Sequence, residues 1–107
     1  MSLENIVWKG GLLDCYGALL TARQRECLDL YYNENLSLGE IAEHFHISRQ
    51  AVHDAMRHGE EQLMAYEAAL HMEEGRTARK EAARALARMI PPQRSEEAAE
   101  LLRILSE

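Results

Sequence analysis

Four side chains in the stretch SRQAVHDAMRH have the chemistry to read a polar surface: Arg49, Gln50, His53 and Arg57. A guanidinium offers two parallel donors to the edge of guanine or to a phosphate, and a carboxamide matches adenine. Separations of one, three and four residues place them on one side of a helix, so a single rod presents them together. Ser48, just ahead, is suited to cap that rod and to touch the same ligand. The competing reading is a solvated face, which every amphipathic helix has. Asp54 and Glu60 beside the cations dilute a phosphate footprint.

Presenting those residues requires a support. Residues 36–58 (LSLGEIAEHFHISRQAVHDAMRH) read as two short helices joined by a tight turn. Ser37 and Glu40 form a capping box ahead of Leu38, Ile41, Ala42 and Phe45, which recur on one helical face. His46 interrupts that pattern, Ile47 is apolar, and the helix opened by Ser48 turns Ala51, Val52 and Ala55 inward. Ile41, Ala42, Phe45, Ile47 and Val52 then form the core of a helix-turn-helix, whose second helix enters a major groove. The first turn residue calls for a positive φ, ordinarily a glycine. His46 stands there, one of the residue types less averse to that region.

Helices are predicted on either side. Residues 5–20 carry the stripe Trp8, Leu12, Tyr16 and Leu19, with Gly10 and Gly11 expected to fray its start at about 1 kcal/mol each. Thr21 and Gln24 form a second capping box, opening a helix over 22–32 with Cys27, Leu28, Leu30 and Tyr31 on its apolar face. The reading helix has no clear stop before Gly75, which makes it ~25 residues and nearly 40 Å long. Its Leu63, Tyr66 and Leu70 then call for a partner beyond the first domain. Residues 76–89 form a further helix with a narrow face of Ala78, Ala82, Ala85, Leu86 and Met89, stopped by Pro91-Pro92. Ser95 caps a last helix striped by Ala98, Leu101, Leu102 and Leu105. The expected fold is all-α: a helical bundle containing a helix-turn-helix with a long second helix and two C-terminal helices. The division expected is a bundle over 1–58 and an extension over 59–107, continuous with the reading helix and suited to dimerisation.

Composition narrows the function. Twelve basic against 18 acidic residues give a net charge of −6 with histidines neutral, which works against a phosphate ligand. Arg76, Arg79, Lys80, Arg84 and Arg88 form a second, narrower basic stripe, a solvated face first and an RNA or acidic-partner contact second. The five histidines include His44 and His46 across a turn and His53 and His58 on one helix, without the convergent spacing of a metal site. Cys15 and Cys27 fit buried thiols better than a metal pair or a disulfide. No metal or other cofactor is called for. Neither a nucleophile motif nor a glycine-rich phosphate loop is present, so the chain reads as non-enzymatic. With no signal peptide and no apolar run near the ~20 residues of a membrane span, a cytoplasmic protein is expected.

LTARQRECLDLYY followed by LSLGEIAEHFHISRQAV is similar to the C-terminal DNA-reading region of sigma factors. LLDCYGALLT, LYYNENLSLGEIAEHFHISRQAVHDAMR and YEAALHM resemble more closely the YlxM-like family of small bacterial proteins. That resemblance implies an all-helical fold with a sigma-region-4-like helix-turn-helix. It also implies a role as regulator or accessory of the signal recognition particle pathway. The reading positions it carries over are Ser48, Arg49, Gln50, Ala51, Val52, His53 and Arg57, with departures at His53, often tyrosine in the family, and at His46. Two readings follow: a homodimeric DNA-binding regulator, or a protein- or RNA-binding accessory of the signal recognition particle that has lost DNA. The polar reading helix favours the first, and the net charge favours the second.

Overall fold

Two capping boxes fix where two of the central helices begin. The Thr21 hydroxyl accepts the Gln24 N–H at 3.2 Å while Gln24 Oε1 accepts the Thr21 N–H at 3.2 Å. Ser37 and Glu40 repeat the arrangement at 3.1 Å in both directions. Each box satisfies N–H groups that the first helical turn leaves without partners. Both stand where the residue pattern places them.

The computed structural model describes residues 3–107. They form six α-helices: α1 (Leu3–Tyr16), α2 (Ala22–Tyr32), α3 (Leu38–Phe45), α4 (Arg49–Leu70), α5 (Met72–Met89) and α6 (Ser95–Ser106). Short 3-10 turns occupy Gly17–Leu19 and Pro92–Arg94, and no strand occurs among the described residues. Two compact units result, divided between Leu70 and His71. The boundary expected after His58 falls inside α4.

In the first unit, α1 to α4 enclose a core of Leu12, Tyr16, Cys27, Leu28, Ile41, Val52 and Leu63, each at most 2% exposed. α1 passes through Gly10 and Gly11 without a break. Burial of Leu12, Leu13 and Tyr16 outweighs a glycine cost of about 1 kcal/mol each. At Gly59, α2 and α4 pack closely: a Cβ there would lie 2.8 Å from Leu28 Cδ1 and 3.4 Å from Gln24 Cβ. Burial pushes the Cys27 thiol up, with Arg23 opposing and Glu26 adding to the shift.

The second half of α4 is not the unpartnered arm that its length suggests. Leu63 is 2% exposed, and the Tyr66 ring packs 5.9 Å from that of Tyr16. The Tyr16 hydroxyl donates to the buried Glu67 carboxylate at 2.6 Å. α1 therefore supplies the partner, and of the three expected contact residues only Leu70 stays exposed. α4 also stops before Gly75, because His71 takes a left-handed conformation (φ 52°).

The second unit is a helical hairpin of α5 and α6. Gly75 lies within α5, and the buried side chains there are Ala83 and Glu73, the latter held by Arg76 through two bonds of 2.8 and 3.0 Å. The apolar face expected on residues 76–89 points largely outward: Ala78, Ala82, Leu86 and Met89 are exposed, and Ala85 is half-buried. The few bulky apolar residues of α5, Met72, Leu86 and Met89, stay exposed, and its alanines recur on several sides, so spacing alone cannot choose between adjacent stripes. Ser95 is the first residue of α6 rather than its cap; its hydroxyl donates to the Pro92 carbonyl at 2.9 Å, closing the preceding 3-10 turn.

Candidate nucleic-acid interface

The angle between α3 and α4 is set at one residue. His46 adopts φ 57°, ψ 43°, and its N–H donates to the Glu43 carbonyl at 3.3 Å while Ile47 N–H donates to the Ala42 carbonyl at 3.0 Å. That pair of bonds is the Schellman arrangement, which closes a helix with a left-handed residue. Ile47 then tucks half-buried against the core, and the Ser48 hydroxyl accepts the Ala51 N–H at 3.0 Å. α3 and α4 are thus a helix-turn-helix. Ile41, Ala42 and Val52 are buried in it, with Phe45 and Ile47 packed alongside.

Anchoring α4 through Val52, Met56 and Gly59 turns its opposite side to solvent. Ser48, Arg49, Gln50, His53, Arg57 and His58 are all exposed there. From Arg49 to Arg57 the rod advances about 12 Å, close to the width of a B-DNA major groove. The carboxylates divide unevenly around it. Asp54 accepts Gln50 Nε2 at 2.9 Å and lies 3.7 Å from His53 Nδ1. Glu61 stands 3.7 Å from Arg57, an exposed pair of little energetic weight. Arg49 has no carboxylate within salt-bridge distance among the described residues, and its Nε lies 4.0 Å from where a Cβ on Gly39 would stand.

Glu60, expected to dilute this face, is half-buried beside His53 and Arg57, with both oxygens engaged. Its two oxygens accept Tyr32 OH at 2.6 Å and Lys9 Nζ at 3.0 Å. Burial first, then the hydrogen bond to Glu60, pushes the Tyr32 phenol well above its ordinary range. Lys9, from α1, is absent from the pattern of the reading helix and neutralises one of that helix's acids. Sequence carries no signal of this pairing, because Lys9 and Glu60 are 51 residues apart. Arg23 is a further cation that periodicity does not single out; its guanidinium lies 4.5 Å from the centre of the Phe45 ring, beside the turn.

None of the described helices is long and apolar enough to cross a membrane. Among the described residues no group of three or more His, Cys, Asp or Glu side chains is gathered to hold a metal ion.

Residues 3–102 match the UPF0122 family model, described as "Putative helix-turn-helix protein, YlxM / p13 like". Among curated proteins the chain is similar to a UPF0122 protein of Latilactobacillus sakei, 50% identical over 72 residues, 67% of this chain and 64% of the relative. A UPF0122 protein of Desulforamulus reducens is 55% identical over 56 residues, 52% of this chain and 48% of the relative. One from Acetivibrio thermocellus is 62% identical over 52 residues, 49% of this chain and 44% of the relative. The chain spans less than two thirds of the length of each of these relatives. With its family model covering nearly the whole sequence, the chain belongs to the UPF0122 family of YlxM / p13-like proteins.

Proposed function

We propose that this chain is a non-enzymatic, cytoplasmic DNA-binding regulator that reads duplex DNA with the N-terminal half of α4. The observation that carries this reading is the outward set Arg49, Gln50, His53 and Arg57 on a rod held at a left-handed hinge. Arg49 and Gln50 lie at the N-terminal end, where such helices touch base edges. Ser48 and Arg57 flank them at positions suited to phosphate. Two half-sites one helical turn apart would engage two copies.

Fluorescence anisotropy with a randomised labelled duplex, enriched over several rounds, tests this. Arg49→Ala is expected to cost about 1–3 kcal/mol at the selected site, and Arg57→Ala to weaken all sequences alike and reduce the salt slope by about one. Asp54→Ala is expected to tighten binding, because it removes a charge and, with the acceptor gone, releases Gln50. Unselective binding that ignores both arginines would overturn the reading.

Two observations favour a second function. The chain carries a net charge of −6, and Gln50 on the reading face is held by Asp54. Both suit a protein- or RNA-binding accessory, the signal recognition particle association that the family resemblance implies. Recovery of the particle's GTPase or RNA on the immobilised chain, with no duplex selected, would decide for it.

A further inference from the structure

The hairpin of α5 and α6 leaves its apolar side uncovered. Leu86, Met89, Leu101, Ile104 and Leu105 are between 44% and 78% exposed, while the unit's buried apolar side chain is Ala83. Between the helices, Leu86, Met89, Ile90, Pro91, Ala98 and Leu101 line an open groove of about 270 Å³, with Arg94 and Glu97 at its rim, joined at 3.0 Å. A piece of chain this short, below ~40 residues, does not hold its fold with so little burial unless something else covers it.

Charge indicates what does. α5 carries five basic residues against three acidic ones, whereas α6 carries three acidic against one basic. A hairpin with one basic and one acidic helix is complementary to itself. In a two-fold contact, α5 of one copy faces α6 of the other, and every attraction is made twice. The exposed alanines at 78 and 82 let helices approach closely along the same stripe. α5 is about 27 Å long and α6 about 18 Å, so at about 10 Å of width each the two helices offer a projected face of roughly 450 Å², about half of the ~800 Å² per partner in a standard interface and enough for a reversible dimer.

We infer that this groove seats the α5–α6 hairpin of a second copy of the chain, forming a four-helix bundle that joins two reading heads. The inference supplies the second copy that the two-half-site reading calls for. Its test uses no nucleic acid, so either reading fails without the other.

Sedimentation equilibrium of the full chain is expected to show a dimer at about 10 μM, with Met89→Lys and Leu101→Lys each raising the dissociation constant at least ~100-fold. Leu19→Lys, on an exposed residue of the first unit, is expected to leave it unchanged. Arg88→Glu, which removes no apolar contact, is expected to raise it ~10-fold; that keeps the test open should a lysine variant lose helicity by circular dichroism. A wild-type chain that stays monomeric at about 100 μM overturns the inference. So does a dimer indifferent to Met89, Leu101 and Arg88.

Discussion

α4 and α5 have similar lengths and similar mixtures of alanine, charge and methionine, yet their surroundings differ. α4 is held by α1, α2 and α3 through Val52, Met56, Gly59 and Leu63, and its polar side is exposed by exclusion. α5 buries Ala83 and Glu73 and leaves Leu86 and Met89 in solvent. The difference lies in the shape of the inward residues. α4 meets its neighbours with a branched valine, a methionine, a glycine and a leucine, which interlock in one rotation only. α5 offers alanines on several sides, which fit loosely in more than one. The reading proposed for α4 needs the first kind of support, and the contact with a second copy inferred for α5 tolerates the other.

The largest expected effect separates the two regions. Leu28→Ala, at a site that is 0% exposed, is expected to lower stability by about 3–4 kcal/mol. Leu101→Ala is expected to move the same transition by less than about 0.5 kcal/mol. Trp8 is the only tryptophan and lies in α1, so its fluorescence during urea unfolding reports the first unit alone. Equal losses from the two substitutions would erase the contrast.

Two glycines sharpen it. Alanine at Gly59 would stand 2.8 Å from a core methyl of Leu28, whereas at Gly75 the near neighbour is the far end of the flexible Arg79 side chain, 3.2 Å away. Gly59→Ala is expected to destabilise by about 1–2 kcal/mol, overpacking exceeding the gain in helix propensity. Gly75→Ala is expected to stabilise by up to about 1 kcal/mol, read as a rise in the thermal midpoint of helical circular dichroism. A gain at Gly59 would mean that α2 and α4 are less tightly packed than Leu28 implies.

The first unit was legible in sequence because its signals are local: two capping boxes, a helical stripe and a turn, each within a few residues. Arg49, Gln50, His53 and Arg57 could be placed outward once Val52 was known to point in. The cover over Leu63 and Tyr66 could not be seen, since the Tyr16–Glu67 bond links residues 51 apart. Nor could the Lys9–Glu60–Tyr32 cluster, in which Lys9 offsets one of the acids of α4. The rotation of α5 was misjudged because alanines mark no preferred side. The end of α4 was missed because a left-handed histidine leaves no mark in composition.

That same property makes the hinge a test of intermediate size. A residue with a Cβ in the left-handed region carries a cost of roughly 1–2 kcal/mol that glycine avoids. His46→Gly is therefore expected to raise stability by about 0.5–1 kcal/mol after the entropy of the more flexible unfolded chain is counted. His46→Val is expected to lose about 1–2 kcal/mol. Two-dimensional NMR of the α4 amides should leave the glycine variant's reading helix in place. If His46→Gly destabilises instead, the imidazole makes a contact that outweighs its backbone strain.

The smallest effect concerns the cap of α3, and its sign follows from Glu40. The backbone hydrogen bond from Ser37, and secondarily the one from its side chain, hold the Glu40 carboxyl below its ordinary value. A group lowered on folding contributes stability above its unfolded pKa and loses it as pH falls through the folded one. The capping box should therefore weaken on acidification below the usual carboxylate range, and α3 should fray from Ser37 inward. Glu40→Gln retains an oxygen that accepts the Ser37 N–H at any pH, as Gln24 does for Thr21. The thermal midpoint of the wild type is expected to fall more than that of Glu40→Gln from about pH 6 to about pH 3, with the two converging above the carboxylate range. Parallel curves would mean that the Ser37 hydroxyl alone caps the helix, and that the angle of the reading head owes nothing to Glu40.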